Sequence, residues 1–422
     1  MTSIELARPE TETPSGFEAA IVPPLSSGLT LRVADSFEVV EQLREQWDLL
    51  VQQENGDIYQ TFDWCRIWWK HFGHGRRLRL FLFNHRQQLV AVVPWFIDEL
   101  GWYPLRVRVA KFLGAEYTLT ECNPVIRPEC LNEVLRQMLD HLVRVERCDA
   151  MRIGPTNTNH SLLRRLREGE TGRSGLTVLK DAHEAPVSVF PIPESFNNYL
   201  SSLDKKERSN YKHSANMLAK AFATDWRVFS EGAELESEFD RFADMHQLQW
   251  EQKGRGGHFI DWPGSFDFHK ELISVFGRQD RVRLIRLSAD GEPVSYRYSL
   301  VLGSVCYTRL TARLVGKAWD RFGLGRFGMV NFVRLAIEAG MKVIDAGQGH
   351  YDFKQNLGAE EHLVDNVILA PRKPIRKWKA SLAIHAARLI DIIYEKIWSR
   401  RVKPRLRLPP RPFWKCWIRT RL

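Results

Sequence analysis

The sequence has no CxxC pair and no cysteine at ligand spacing from a histidine; Cys65, Cys122, Cys130, Cys148, Cys306 and Cys416 are scattered along 422 residues. That distribution argues against a zinc module and a disulfide scaffold, and it points to a reducing compartment and chemistry without a metal. No apolar run approaches the roughly 18 residues that span a bilayer, and no charged-then-apolar leader opens the chain. A cytoplasmic location is therefore expected. GxSxG and GxxxxGK[ST] are missing, and no GxGxxG follows a strand pattern, because Gly323 and Gly325 come after a polar turn. Nucleophilic Ser or Cys catalysis, P-loop phosphoryl transfer and a Rossmann fold lose their usual sequence support.

What is present reads as globular. Hydrophobic content of 44% and charged content of 27% are ordinary for a folded protein, and the length argues for two domains. The 14 tryptophans fall mostly in helical or strand patterns, where packing is the expected role. The net charge of +10 is unevenly placed. From 371 to 422 there are 16 Lys/Arg against Asp391 and Glu395, a local +14 that leaves −4 for the rest. The basicity belongs to a tail. Residues 1–28, with Pro9, Pro14, Pro23 and Pro24 among Ser, Thr and Glu, are expected to be disordered.

From 29 onward the pattern repeats itself. Residues 37–52 and 61–72 read as helices, 78–83 and 89–97 as a hairpin, 131–145 as a helix and 150–154 as a strand. In the second half, 235–251 reads as a helix, 282–287 and 293–302 as strands joined at Asp290-Gly291, and 305–311 as a further strand. The segments LRLFLFNHRQQLVAVVPWFI and VRLIRLSADGEPVSYRYSLV share one hairpin shape, as VERCDAMRIG and EAGMKVIDAG share one helix-end-to-strand shape. Internal duplication of an α+β unit is the economical reading.

The segment from Trp319 to Gly358 carries the sharpest signal. Gly323 and Gly325 open an apolar-periodic helix that stops at Gly340, and a strand over 343–346 runs into a second glycine turn, Gly347 and Gly349. Glycine turns at helix starts let backbone N–H groups approach an anion, and the helix dipole adds to the attraction. His350, Tyr351, Asp352 and Lys354 stand on the second turn. A basic helix over 203–222, with Lys205, Lys206, Arg208, Lys212 and Lys220, lies between the halves, either as a solvated face or as a patch facing a cleft.

In their order these features resemble the two-lobed GNAT-type acyltransferases associated with bacterial cellulose and exopolysaccharide biosynthesis, which are similar to the Fem-type aminoacyltransferases. The resemblance covers roughly 29–369 and rests on Lys205, Arg208 and Asn210; Trp250, Gly254, Gly257 and Phe259; Gly323 and Gly325; and Asp345, Gly347, Gly349, Lys354 and Gly358. Two positions depart from the family pattern. Phe353 stands where a tyrosine is usual, and Asp320 where a phosphate signature begins with Gln or Arg.

The resemblance implies an α/β (α+β) fold of two GNAT-like acyl-CoA N-acyltransferase lobes in tandem, over 29–195 and 196–370, followed by a basic amphipathic tail over 371–422. It implies acetyl-CoA or another acyl-CoA as co-substrate, with Arg321, Gly323, Gly325 and Arg326 at the donor phosphates, and a sugar or glycan amine as acceptor, contacted by Lys205, Arg208 and Trp250. A backbone N–H around 308–311 is expected at the thioester oxygen. Asp345, His350 and Lys354 are the expected catalytic groups. Histidine side chains titrate near neutrality and suit a base, while Asp345, at a strand end, is either the base or the group that orients His350; Lys354 would bind an acidic group. Each also has a structural reading, as a turn cap, a surface loop residue or a solvated charge. A non-catalytic partner of a polysaccharide-synthesis complex and a Fem-like transfer from aminoacyl-tRNA are the alternatives. In the tail, 380–398 has a wide apolar face and a narrow polar stripe. Peripheral contact with an anionic membrane through 380–422 is expected, with docking on the fold as its rival and nucleic acid as the weaker partner.

Overall fold

Two strand-rich stretches, each closed by a tight turn, seed the two sheets. The structure is a computed structural model, and it describes residues 28–101, 103–116, 121–170, 175–402 and 413–422. The disorder expected for 1–28 falls, but for Gly28, outside these residues. The first stretch holds β1 (Leu29–Ala34), α1 (Arg44–Gln53), α2 (Phe62–Phe72), β2 (Arg77–His85), β3 (Gln88–Leu100), β4 (Val107–Phe112), the short β5 (Val125–Ile126), α3 (Leu131–Arg144), β6 (Ala150–Asn157) and β7 (Leu176–His183). Arg86 and Gln87, both with positive φ, close the β2–β3 hairpin, and the helix α3 carries the chain across so that β6 pairs parallel to β4.

The second stretch repeats the plan. It holds β8 (Val187–Pro191), α4 (Phe196–Ser202), α5 (Lys205–Ala221), β9 (Thr224–Phe229), α6 (Gly232–Glu251), α7 (Ser265–Gly277), β10 (Val282–Ala289), β11 (Glu292–Leu302), β12 (Val305–Arg313), α8 (Leu324–Glu338), β13 (Val343–Gln348), α9 (Asp352–Asn356), β14 (Glu360–His362) and β15 (Val364–Pro371). Asp290 and Gly291 take positive φ in the β10–β11 turn, as a two-residue hairpin requires. Again a helix, α8, leads to a parallel strand, β13 beside β12.

The sheets do not coincide with the chain segments 29–195 and 196–370. The first sheet runs β1-β2-β3-β4-β6-β15-β7, and the second β14-β8-β13-β12-β11-β10-β9. Thus β15, from the end of the second segment, lies between β6 and β7, while β8, from the end of the first, lies between β13 and β14. Each lobe lends one strand to the other. Chain order alone does not reveal this, because a buried strand reads the same in either sheet; every residue of β15 is buried.

The lobes also share a core. Trp47, Trp64 and Trp68 from α1 and α2 join Phe239, Phe242, Phe268, Tyr296 and Tyr298 of the second lobe in one apolar cluster, with Trp64 and Phe268 edge to face at 6.2 Å. An ion pair and a hydrogen bond tie its margin, Arg281 to Asp48 at 2.9 Å and Gln279 Nε2 donating to Asp63 at 2.7 Å.

The tail docks on the first lobe and touches the second at Trp262. Helix α10 (Pro374–Ile392) buries Ala380, Ala383 and Ala387, and α11 (Phe413–Arg419) buries Trp414, Trp417 and Ile418 beside Tyr394 and Trp262. Among the described residues no helix is long and apolar enough to cross a membrane. The docking anchor is a buried ion cluster. Lys111 meets Glu116 at 2.6 Å and Asp98 at 3.3 Å, Arg76 meets the same two carboxylates, and Arg419 of the tail reaches Asp98 at 3.0 Å. Lys111 Nζ also donates to the Arg419 carbonyl at 2.8 Å. Removing one partner of such a set leaves buried charge uncompensated. Lys111→Met is expected to lower the unfolding free energy by roughly 3–5 kcal/mol in urea titration, and to loosen the tail against limited proteolysis.

Candidate functional site

Strands β12 and β13 pair only from Val305–Val343 to Tyr307–Asp345 and then part. Where they part, β12 carries an extra residue: Tyr298 faces Leu310 and Ser299 faces Thr308, so Arg309 forms a bulge. A bulge re-aims backbone groups and opens a strand edge. The gap leads into a cavity of about 780 Å³ walled by β11, β12, the start of α8 and the loop after β13.

The mouth of this cavity is made for anions. Gly323 takes a left-handed φ of 60° as the N-cap of α8, which has no side-chain cap. Phe327 is the first helical N–H to bond back, to the Gly323 carbonyl, so those of Leu324, Gly325 and Arg326 have no intrahelical partner. A Cβ on Gly323 would sit 3.3 Å from Ser214 Oγ, and one on Gly325 would approach only Arg313, at 3.6 Å. Arg313 and Arg326 line the cavity, steadied by Asp320 at 3.3 Å and by Glu207. Lys253 and Arg255 lie over the Trp250 ring at 5.3 and 5.8 Å. Burial, then Arg313 and Arg255, lowers the Lys253 ammonium below the ordinary lysine range.

Past the mouth, Lys354 donates to the Ala346 carbonyl at 2.8 Å and to that of Gly347 at 3.5 Å, and its ammonium lies 4.7 Å from the Tyr351 ring centre. The lysine thus fixes the end of β13 while lining the cavity. Burial pulls it down to about 8, against the opposing pull of Asp345. Gly347 N–H donates to Asp345 Oδ1 at 2.8 Å.

Asp345 itself faces the other way. It lines a second cavity of about 520 Å³ between the lobes, with Asp57, Glu121 and Tyr307. Burial pushes its carboxyl up to about 7, and Glu121 adds to the rise while the Gly347 N–H, Arg309 and Lys354 oppose it. Asp57 is pushed well above the carboxylate range by burial and by Glu121 and Asp345. The Asp345–Gly347 turn therefore forms the wall between a cationic cavity and an acidic one.

The residues expected from sequence divide accordingly. Gly323, Gly325, Arg326, Trp250 and Lys354 line the first cavity, and Asp345 the second. Arg321 is exposed and packs on Phe322 at 4.6 Å, outside both. His350 is exposed and held by Glu361 at 2.7 Å and Asp352 at 3.3 Å. Arg208 turns back onto the carbonyls of Ser201 and Leu203, at the end of α4, and Lys205 is exposed on α5; none of these lines either cavity. Sequence reading missed Arg313 and Arg297, which sit at ordinary strand positions, and Asp57 and Glu121, which reach the site only through the packing of the lobes. Among the described residues no group of three or more His, Cys, Asp or Glu is placed to hold a metal ion.

Comparison with known proteins agrees with this architecture. Residues 205–355 match the model of an acetyltransferase (GNAT) domain. The structure is similar to that of FemX, at 13% identity and a TM-score of 0.56 over 79% of this chain and 98% of that one. It is also similar to a conserved protein of unknown function from Bacteroides thetaiotaomicron, at 10% identity and a TM-score of 0.50 over 81% and 100% of the two chains. No curated protein matches the sequence. The fold is that of GNAT acyltransferases, built here as two lobes. The matched segment lies wholly in the second stretch, from α5 into α9, and includes the glycine mouth and the parted strands.

A side chain at 325 would cover the free N–H groups without disturbing the fold, since little lies near it. Gly325→Val is expected to raise the Kd for a diphosphate ligand such as CoA at least tenfold in calorimetry, with the thermal melting curve unchanged.

Proposed function

We propose that the second lobe transfers an acyl group from acetyl-CoA or another acyl-CoA to an amine. The observation that supports this most is the pair of cavities of opposite charge meeting at the end of β13. One has an uncapped helix start and arginines for a diphosphate; the other has carboxylates for a cationic amine. The resemblance drawn from the sequence favours a sugar or glycan-precursor amine as acceptor, in polysaccharide biosynthesis.

Under this reading the thioester lies beside the bulge at Arg309, where backbone N–H groups between 308 and 311 face its carbonyl oxygen. Asp345 takes the proton of the ammonium arriving from the acidic cavity. The freed nitrogen lone pair then attacks the carbonyl carbon; as the C–N bond forms and the C–S bond breaks, the thiolate leaves into the cationic cavity. Lys354, with its ammonium pulled down to about 8, gives a proton to the sulfur, and the amine so formed takes up the second proton that the nitrogen sheds as the amide forms. A base poised near neutrality is what such a step uses best. Asp345 has that poise and lines the acceptor side, so it takes the role for which His350 was the other candidate.

The sign of the pH dependence follows. A base with a pKa of about 7 is active when deprotonated, so kcat/KM should fall about tenfold per pH unit as pH drops below 7. In Asp345→Asn that limb should vanish and kcat/KM should drop by about 10²–10⁴, with CoA affinity retained. Absence of CoA binding in calorimetry, or turnover only with aminoacyl-tRNA, would sink the proposal.

A further inference from the structure

Arg297 on β11 lines the donor cavity, with its guanidinium stacked on the Phe332 ring at 4.9 Å. Among the described residues the guanidinium makes no hydrogen bond and no ion pair, and desolvation pulls it down to about 10. Arg297 is half-buried, and a guanidinium drawn partly out of water without an anion leaves that desolvation uncompensated. Lys354 lines the same space, and the one carboxylate among the described lining residues, Asp320, stands at the mouth beside Arg313. Phe332 comes eight residues after Leu324, which places it about 12 Å further along the helix axis than the diphosphate cradle. An anion at Arg297 is therefore a different group from the one at the mouth.

Resting on the acyl-CoA reading, we infer that the acyl group itself carries a carboxylate, which Arg297 receives at the inner end of the cavity. The donor is then the thioester of a short dicarboxylic acid. The test compares succinyl-CoA with butyryl-CoA, of the same chain length but without the charge, by calorimetry on the full chain. Succinyl-CoA is expected to bind at least tenfold more tightly. That ratio should fall to near one in Arg297→Met and be largely kept in Arg297→Lys. Equal binding of the two thioesters by the unmodified protein overturns the inference but leaves the acyl-CoA reading standing. If free CoA does not bind either, both fall.

A second observation, independent of the site, lies on the tail. Helix α10 turns its alanine face to the first sheet, whereas Ile375, Trp378, Leu382 and Leu389, and Ile393 just past its end, are exposed. Their spacing of three, four, seven and four residues puts them on one stripe opposite the docked face. Exposures of 62% at Ile375, 52% at Trp378 and 58% at Leu389 mark large side chains that the described residues leave uncovered, and Lys377 and Arg388 stand exposed on the flank. The geometry points to an anionic bilayer surface as the occupant, since the stripe belongs to a segment carrying 16 Lys/Arg against two acids. The full chain is expected to float with phosphatidylcholine vesicles containing 30% phosphatidylglycerol, not with phosphatidylcholine alone. Trp378→Glu/Leu389→Glu should weaken this at least tenfold while leaving thermal stability intact. Failure to float, or a dimer in light scattering that the same double variant dissolves, overturns the proposal.

Discussion

The reciprocal loan of β8 and β15 is the constraint on which the rest depends. A strand inserted between two others satisfies backbone groups on both its edges, so neither sheet can close its row without the other lobe's chain. β8 pairs with β13 at Asp345 and Ile344, which means that the first stretch of chain holds the strand bearing the candidate base. The shared tryptophan and phenylalanine core then resists hinging, because the lobes are cross-laced on one side and packed on the other. A site that uses both lobes, as the acidic cavity does with Asp57 and Glu121, needs that rigidity.

Charge is sorted across a single turn of chain. On one side of the Asp345–Gly347 bend lie Lys354, Arg297, Arg313 and Arg326; on the other lie Asp345, Asp57 and Glu121. Burial acts oppositely on the two sets, since it disfavours whichever form is charged. It lowers Lys354 and raises Asp345, bringing both toward neutrality from opposite ends. An acid and a base are thereby poised at similar pH within one loop, with the lysine also bonding the loop's carbonyls.

Much of this was legible in the sequence, where the determinant was local. The two-residue turn at Asp290-Gly291, the helix start after Gly323 and the strand into Gly347 each depend on backbone preferences of a few neighbours, and each is formed where the pattern placed it. Strand exchange was not legible, because β8 and β15 differ from unexchanged strands only in their partners. Nor was the sorting of site residues. Asp345 and His350 stand five residues apart, yet one enters a cavity and the other is exposed, since the Gly347–Gly349 turn redirects the chain between them. Arg208 had the charge for a substrate contact, but the nearest unsatisfied carbonyls, at the end of α4, claim it.

The duplicated frame is filled differently in the two lobes. In the first lobe β4 and β6 pair in parallel through Val109–Ala150 to Lys111–Arg152, just as β12 and β13 do. Beyond that point, where the second lobe opens, the first is filled. Lys111 and Arg152 reach the carbonyls of Arg419 and Arg421, and Lys180 that of Leu422, so the end of the tail occupies the space. The crossover helix α3 starts after the Pro128–Cys130 turn, with Cys130 rather than a glycine at its N-cap. The first lobe therefore has no glycine at the start of its crossover helix, and ion pairs stand beside the end of β4. The end of the tail thus meets the first lobe through the carbonyls of Arg419, Arg421 and Leu422 and the Arg419 guanidinium, while Lys377 and Arg388 remain on the surface.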